Sequence, residues 1–400
     1  MRSFITRRQN GFSLVELMVG LVVAMIATVI VLKMFSDAES TKRNVSSGGD
    51  AQSNGAIALF SLSRELRYAG YGMTASSVLG CSLQTYNSAR SPSSLAINSL
   101  APVTIFASGA TATVSSGVVL PAGDTDTDIV MLVSGNANTA AEAVPFNDLT
   151  DNESYEGYVV KNRVGFQVGD LAIVSESGKN CVLMQVSALP GSATVCNESV
   201  AGNASVVQFS TDSFLNPYSG CAAATSSYNL ETIPVTYSSS DYAAELSNMG
   251  NSPKIVAYAV RNHTLTYCNL LTTDCANTSN WSKLASNIVG FKAEYGWDTS
   301  GTVDGYVDDF SESTPAALAA KTDQCRISRI AAVRVGIVAR NTTAHKPTTE
   351  QPTVTTEAPT WQGGTFSLSA DSDWQLFRYK VFESVIPLRN IVWKGVISGC

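Results

Sequence analysis

The stretch from Leu14 to Leu32 constrains this chain more than any other, because it is apolar apart from Gly20, Thr28 and one carboxylate, Glu16. At a rise of about 1.5 Å per residue, a helix of this length nearly matches the hydrocarbon core of a bilayer. A transmembrane helix is therefore expected over about 14–32. Arg2, Arg7 and Arg8 precede it with no acidic residue, and the positive-inside rule keeps residues 1–10 in the cytoplasm while the remainder crosses. An ionised carboxylate in hydrocarbon costs a few kcal/mol on insertion scales. Such a charge calls for an assigned partner.

The exported body has an ordinary foldable composition, 400 residues with 44% hydrophobic and 15% charged, large enough for a sizeable core. There are 26 basic against 33 acidic residues, a net charge of −7, and setting aside residues 1–11 leaves 23 against 33, or −10. A net acidic body is poorly suited to neutralising phosphates, which argues against nucleic acid as a partner.

All eight cysteines (81, 181, 196, 221, 268, 275, 325 and 400) follow the apolar segment, and none is spaced C-x-x-C. An even number in an oxidising compartment favours disulfides over metal or redox chemistry. Short separations point to Cys268 with Cys275 and Cys181 with Cys196. A bond from Cys400 to Cys325 would tie down a terminus that otherwise frays, leaving Cys81 with Cys221.

Beyond the span, Ser46-Ser47-Gly48-Gly49 interrupts the helical pattern, at about 2 kcal/mol relative to alanine. Helicity resumes near 51, with Leu59, Leu62, Leu66 and Ala69 on one face. The glycines of Ala69-Gly70-Tyr71-Gly72 end it. One long helix over about 12–69 is expected, with a soft spot near Gly48. From about residue 72, short runs of Val, Ile and Leu between turn residues predict β-structure. The candidate strands are 129–133, 171–175, 181–186, 206–209, 255–260, 264–268, 288–295, 331–339 and 374–386. A second helix is expected at 241–248 or 315–321, and 341–360 reads as a mobile surface loop.

The loop Asp298-Thr-Ser300-Gly-Thr302-Val-Asp304-Gly-Tyr-Val-Asp308 collects oxygen ligands as a Ca2+ loop would, through Asp298, Ser300, Asp304 and Asp308. It lacks the EF-hand's Asp at the third and fifth positions and Gly at the sixth, so a solvated acidic turn is the competing reading. Asp124, Asp126 and Asp128 raise the same two alternatives. His263 and His345 stand in turn-like surroundings without acidic and nucleophilic companions nearby in sequence. The hydrolase, zincin and phosphate-loop patterns fail, so no catalytic constellation can be named. No cofactor is expected apart from that Ca2+ alternative.

Gly11-Phe12-Ser13-Leu14-Val15-Glu16 resembles the processing site of type IV prepilins and pseudopilins. The resemblance implies a prepilin peptidase that cuts after Gly11 and methylates the new amine on Phe12. It also implies that Glu16 becomes the counter-charge to an N-terminal amine, its own or a neighbour's, and fixes register in a filament. The competing reading is an ordinary signal anchor or a Sec signal peptide; the latter would need an A-x-A-like site after the apolar run, and none stands there.

Later stretches resemble PilW-type minor pilins: Leu62-Ser-Arg-Glu65-Leu66-Arg67 through Gly72, Val168-Gly169-Asp170-Leu171 through Val174, 255–262 with Leu265-Thr-Tyr267, Val289-Gly290-Phe291 leading to Asp298, 332–340, and Val385-Ile386-Pro387-Leu388-Arg389-Asn390. Long insertions fall around 76–120 and 190–250. The family implies an α+β fold, a long N-terminal helix, transmembrane in its first half, packed on a β-rich pilin-like head. Residues 1–11 would be the leader, 12–71 the helix and 72–400 the head. It further implies a structural subunit, not an enzyme, that primes pilus assembly and enters the filament near its tip, serving twitching motility and adhesion. Expected partners are other minor pilins and the major pilin through the N-terminal helix, a large pilus-tip adhesin, the prepilin peptidase and the inner membrane. Before assembly the chain would be a single-pass inner-membrane protein with a periplasmic head, and afterwards part of the pilus at the cell surface. Retention of Glu16 places it beneath the cap, whose family member commonly lacks that acid. A J-type pseudopilin of type II secretion and an adhesin binding surfaces directly are the alternatives.

Overall fold

The computed structural model describes residues 11–136, 142–147, 157–191, 196, 200–230, 235–238, 242–349, 351–395, 397 and 400. The leader residues 1–10 lie outside it. A single helix, α1, runs from Leu14 to Tyr68, 55 residues, about 80 Å at the α-helical rise. The expected soft spot is absent, and the chain passes through Gly48 and Gly49 as helix. The head supplies the reason. Ser47 is buried, and its hydroxyl oxygen accepts the N–H groups of Thr342 at 2.8 Å and Thr343 at 3.2 Å. Tertiary contact thus holds a turn that propensity alone would loosen.

From that point the helix lays Ser47, Ala51, Gly55, Ala58, Leu62, Leu66 and Ala69 on the head, spaced three or four residues apart as a single buried stripe requires. Every described side chain from 11 to 46 is exposed. Ala69 leaves the helix, Gly70 and Gly72 adopt φ of 77° and 84°, and the Gly70 N–H donates to the Val133 carbonyl at 2.8 Å. The Asn390 side chain donates to the carbonyl of Ala69 at 3.0 Å, satisfying an acceptor that a helix end leaves open.

Three main sheets make the head. The helix packs on a 4-stranded sheet ordered Asp309–Ser311, Ile288–Trp297, Ile330–Arg340, Tyr379–Pro387. A 5-stranded sheet follows in the order Ser282–Ser286, Thr264–Asn269, Lys254–Arg261, Ile129–Ser134, Val103–Phe106. A 6-stranded sheet runs Ser94–Ile97, Leu83–Tyr86, Cys181–Gln185, Leu171–Glu176, Ala244–Gly250, Val144–Pro145. All pairings within these sheets are antiparallel except Leu83–Tyr86 with Cys181–Gln185. One continuous core, including Leu62, Leu66, Met131, Ile173, Phe291 and Ile337, joins α1 to all three sheets. A second core built on Phe146, Tyr158, Phe209 and Tyr237 lies on the opposite face of the 6-stranded sheet.

The candidate strands all coincide with observed ones, although the last begins only at Tyr379 because Trp374–Leu376 is a 3-10 turn. Neither place offered for a second helix holds one. Ala244–Gly250 is a strand, with residue 241 outside the described residues; 315–321 contains a single 3-10 turn, Ala316–Leu318, and the short helix Asp323–Ser328 lies beyond it. The polar residues of Ala244–Gly250 are paired within the buried strand. Ser247 accepts the Ala75 N–H at 2.9 Å, and the Asn248 amide donates to Asp170 at 2.9 Å.

The structure joins Cys268 to Cys275 and Cys325 to Cys400. The other two expected pairs are exchanged: Cys81 bonds Cys181, and Cys196 bonds Cys221. The parallel register that sets Leu83 opposite Cys181 brings Cys81 to its partner. Separation along the chain cannot reveal that pairing.

Candidate functional site

At the start of α1, Ser13 occupies the N-cap position with extended backbone but makes no side-chain cap hydrogen bond, and Glu16 stands in the first turn. The Ser-x-x-Glu spacing is that of a capping box. Because the box is unmade, the Glu16 carboxylate is exposed and has no partner among the described residues. Gly11 is exposed beside it, and Phe12 is 82% exposed. The three residues singled out for processing and register therefore cluster at one accessible helix end. Among the described residues, α1 is the helix long and apolar enough to cross a membrane.

Sequence reasoning missed how the second half of the helix seats. A Cβ placed on Gly55 would run into the Phe382 ring, whereas one on Gly48 or Gly49 meets nothing within 4 Å. Small residues at 51, 55 and 58 let the helix backbone approach the Tyr379–Pro387 strand; the aromatic at 382 was the available signal. Gly48→Ala with Gly49→Ala is expected to raise stability by about 2 kcal/mol. Gly55→Ala should lower it by about 1–3 kcal/mol through overpacking. Unfolding midpoints check this, and a common sign for the two variants would contradict the seating described.

The acidic loop is brought together, but around its own donors. One Asp298 carboxylate oxygen accepts the N–H groups of Asp304 and Gly305, each at 2.8 Å, and the other lies 3.7 Å from the Arg329 guanidinium. The Thr299 N–H and Ser300 hydroxyl reach Asp308 and hold its carboxyl below the ordinary range. Among the described residues no group of three or more His, Cys, Asp or Glu side chains is arranged to hold a metal. The geometry is that of an acidic turn closed by hydrogen bonds.

Asp124, Asp126 and Asp128 likewise tie loops. Asp124 accepts from the N–H groups of Asn262 and His263 at 2.9 and 2.8 Å, Asp126 from that of Ser367 at 2.9 Å, and Asp128 from those of Ser108 and Ala293 at 3.0 and 2.8 Å. Burial pushes the Asp128 carboxyl up to about 6, against the pull of the Ala293 N–H and the Lys292 ammonium. His263 is placed 2.9 Å from Asp371, and its Nδ1 receives a hydrogen bond from Arg340 at 2.8 Å. That ring nitrogen is occupied, so no free base stands there.

A helix that is bare and apolar for its first half, docked on a β-rich head for its second, and marked by one acid in its first turn fits a membrane-anchored pilin-like subunit. Residues 6–32 match the prokaryotic N-terminal methylation motif, and residues 257–390 match the family described as type IV pilus-assembly protein W. With these two matches the chain is consistent with a PilW-family type IV minor pilin. The second match spans all four strands of the sheet against which α1 packs and most of the hairpin Lys254–Arg261 with Thr264–Asn269. Residues 33–256, including the whole 6-stranded sheet, lie outside both. No curated protein and no solved structure matches the chain.

Proposed function

We propose that this chain is a minor pilin that primes assembly of a type IV pilus and is built into the filament near its tip, acting structurally and serving twitching motility and adhesion. The observation that carries the reading is the unpartnered Glu16 in the first turn of a fully exposed apolar half-helix. In lipid that carboxylate is a liability of a few kcal/mol. Against the amine of a processed Phe12 in a bundle of like helices it becomes a paired charge that fixes register. The prepilin peptidase supplies that amine by cutting after Gly11. The inner membrane holds the subunit, head in the periplasm, until neighbouring minor and major pilin helices replace lipid around it. The head then meets other tip subunits and a large tip adhesin. The match of the head to pilus-assembly protein W favours this over a type II secretion pseudopilin, which would share every feature of the anchor.

Glu16→Ala is expected to leave insertion and cleavage largely intact while pilus number falls severely. Electron microscopy of the variant strain, with mass analysis of the mature N-terminus, checks it. Normal piliation would refute the register role, and a mature chain not starting at methylated Phe12 would refute the processing.

A further inference from the structure

We infer that the open edge of the strand Tyr379–Pro387 takes up an extended segment of a partner polypeptide as a fifth strand of the 4-stranded sheet, and that this segment carries a basic residue between two β-branched ones. The strand is nine residues long, ends its sheet, and pairs with Ile330–Arg340 without a register shift. The Leu388 N–H donates to the Ala331 carbonyl, and the Asn341 N–H to that of Arg378. Between these two bonds an antiparallel ladder alternates, so residues 380, 382, 384 and 386 bond to Ile330–Arg340 and Tyr379, Val381, Glu383 and Val385 turn their N–H and C=O groups outward. Among the described residues none of those outward backbone groups has a hydrogen-bond partner.

The other ends of the three main sheets are short, irregular or occupied. Asp309–Ser311 has three residues, Val144–Pro145 two, one of them proline, and Ser94–Ile97 four. In Val103–Phe106 the Tyr295 hydroxyl takes the Ile105 N–H at 2.6 Å, and Ser282–Ser286 pairs across a register shift at Leu265 and Thr266. These are the devices that keep sheet edges from pairing, and Tyr379–Pro387 has no proline before its last residue and no irregularity. The one charge among its outward residues, Glu383, is drawn onto the Gln362 N–H at 3.0 Å and stays exposed.

Side chains alternate across the strand. Phe382 lies against α1 at Gly55, so Val381, Glu383 and Val385 stand in a row on the face away from the helix, Val385 being 47% exposed. Cross-strand pairing favours β-branched residues opposite the valines and Lys or Arg opposite the carboxylate. That row defines the segment's chemistry, and it goes beyond the pilus reading without depending on it.

The test titrates fluorescein-labelled Thr-Val-Thr-Lys-Thr-Val-Thr, whose pattern is the same in both directions, and its Glu-centred twin against the full chain in detergent by fluorescence anisotropy. Val385→Pro and Glu383→Lys are titrated alongside. The 385 N–H points outward, as the position of Pro387 does, so proline at 385 keeps the ladder to Ile330–Arg340 and blocks only the edge. The parent is expected to bind the Lys peptide about fivefold tighter than the Glu peptide. Glu383→Lys should reverse that preference, and Val385→Pro should weaken both peptides at least about tenfold. The charge reversal decides the matter should the proline variant fail to fold. A preference that Glu383→Lys leaves unreversed, undiminished binding by a folded Val385→Pro, or no binding by the parent would overturn the inference. So would self-association of the parent that Val385→Pro abolishes while no peptide binds, which would give the edge to a second copy of this chain.

Discussion

Asp298→Ala is expected to lower the stability of the head by about 3–5 kcal/mol, the range for breaking a buried ion pair by removing one partner. Asp298 is 1% exposed and Arg329 3%. Arg329 also donates to the carbonyls of Ser300 at 2.6 Å and Cys400 at 3.3 Å, so it remains in place when its carboxylate is removed. The alanine variant thus holds an uncompensated guanidinium and strands the N–H groups of Asp304 and Gly305 together. Asp298→Asn retains an acceptor and should lose less. Urea unfolding followed at the neighbouring Trp297 measures both. The same experiment addresses the two readings of the loop, because carboxylate oxygens already engaged by backbone N–H groups and a guanidinium leave little for Ca2+. Added Ca2+ is expected to leave the parent midpoint unmoved. A Ca2+-dependent rise that Asp298→Ala abolishes would show that the loop is a metal site after all.

The parts of this fold that were legible in the sequence are those whose signal is local. The apolar run of 14–32, the Leu62 and Leu66 spacing and the glycines after Ala69 each report on a helix through its own residues. The Val- and Ile-rich strands at 255–260 and 331–339 do the same by composition. What escaped depends on residues distant in sequence. Gly48 and Gly49 read as a break because the compensating donors come from Thr342 and Thr343. The stretch 241–248 was one of two places offered for a second helix because the partners of Ser247 and Asn248 lie at 75 and 170. The acidic loop admitted a cation site beside the acidic-turn reading because the residue that neutralises Asp298 stands at 329. The motif at Gly11, Phe12 and Glu16 was legible because it is a short linear pattern, and it falls within the residues that match the prokaryotic N-terminal methylation motif.

Loss of the Cys81–Cys181 bond should have a comparably large effect. Its residues are 100 apart, and the chain-entropy model gives a loop of that size about 4.7 kcal/mol of stabilisation through the unfolded state, against about 3.5 kcal/mol for a separation of 25, that of Cys196 and Cys221. The bond also lies beside the parallel pairing of Leu83–Tyr86 with Cys181–Gln185, where no short turn can hold the strands together. Cys81→Ala and Cys181→Ala should therefore each be severely destabilising, and the double variant should be little worse than either, since both remove one bond. Had Cys81 been joined to Cys221 and Cys181 to Cys196, each change would break a separate bond and leave a different thiol free. The losses would then accumulate. Unfolding midpoints of the single and double variants separate these cases, and additive losses would exclude the connectivity seen here.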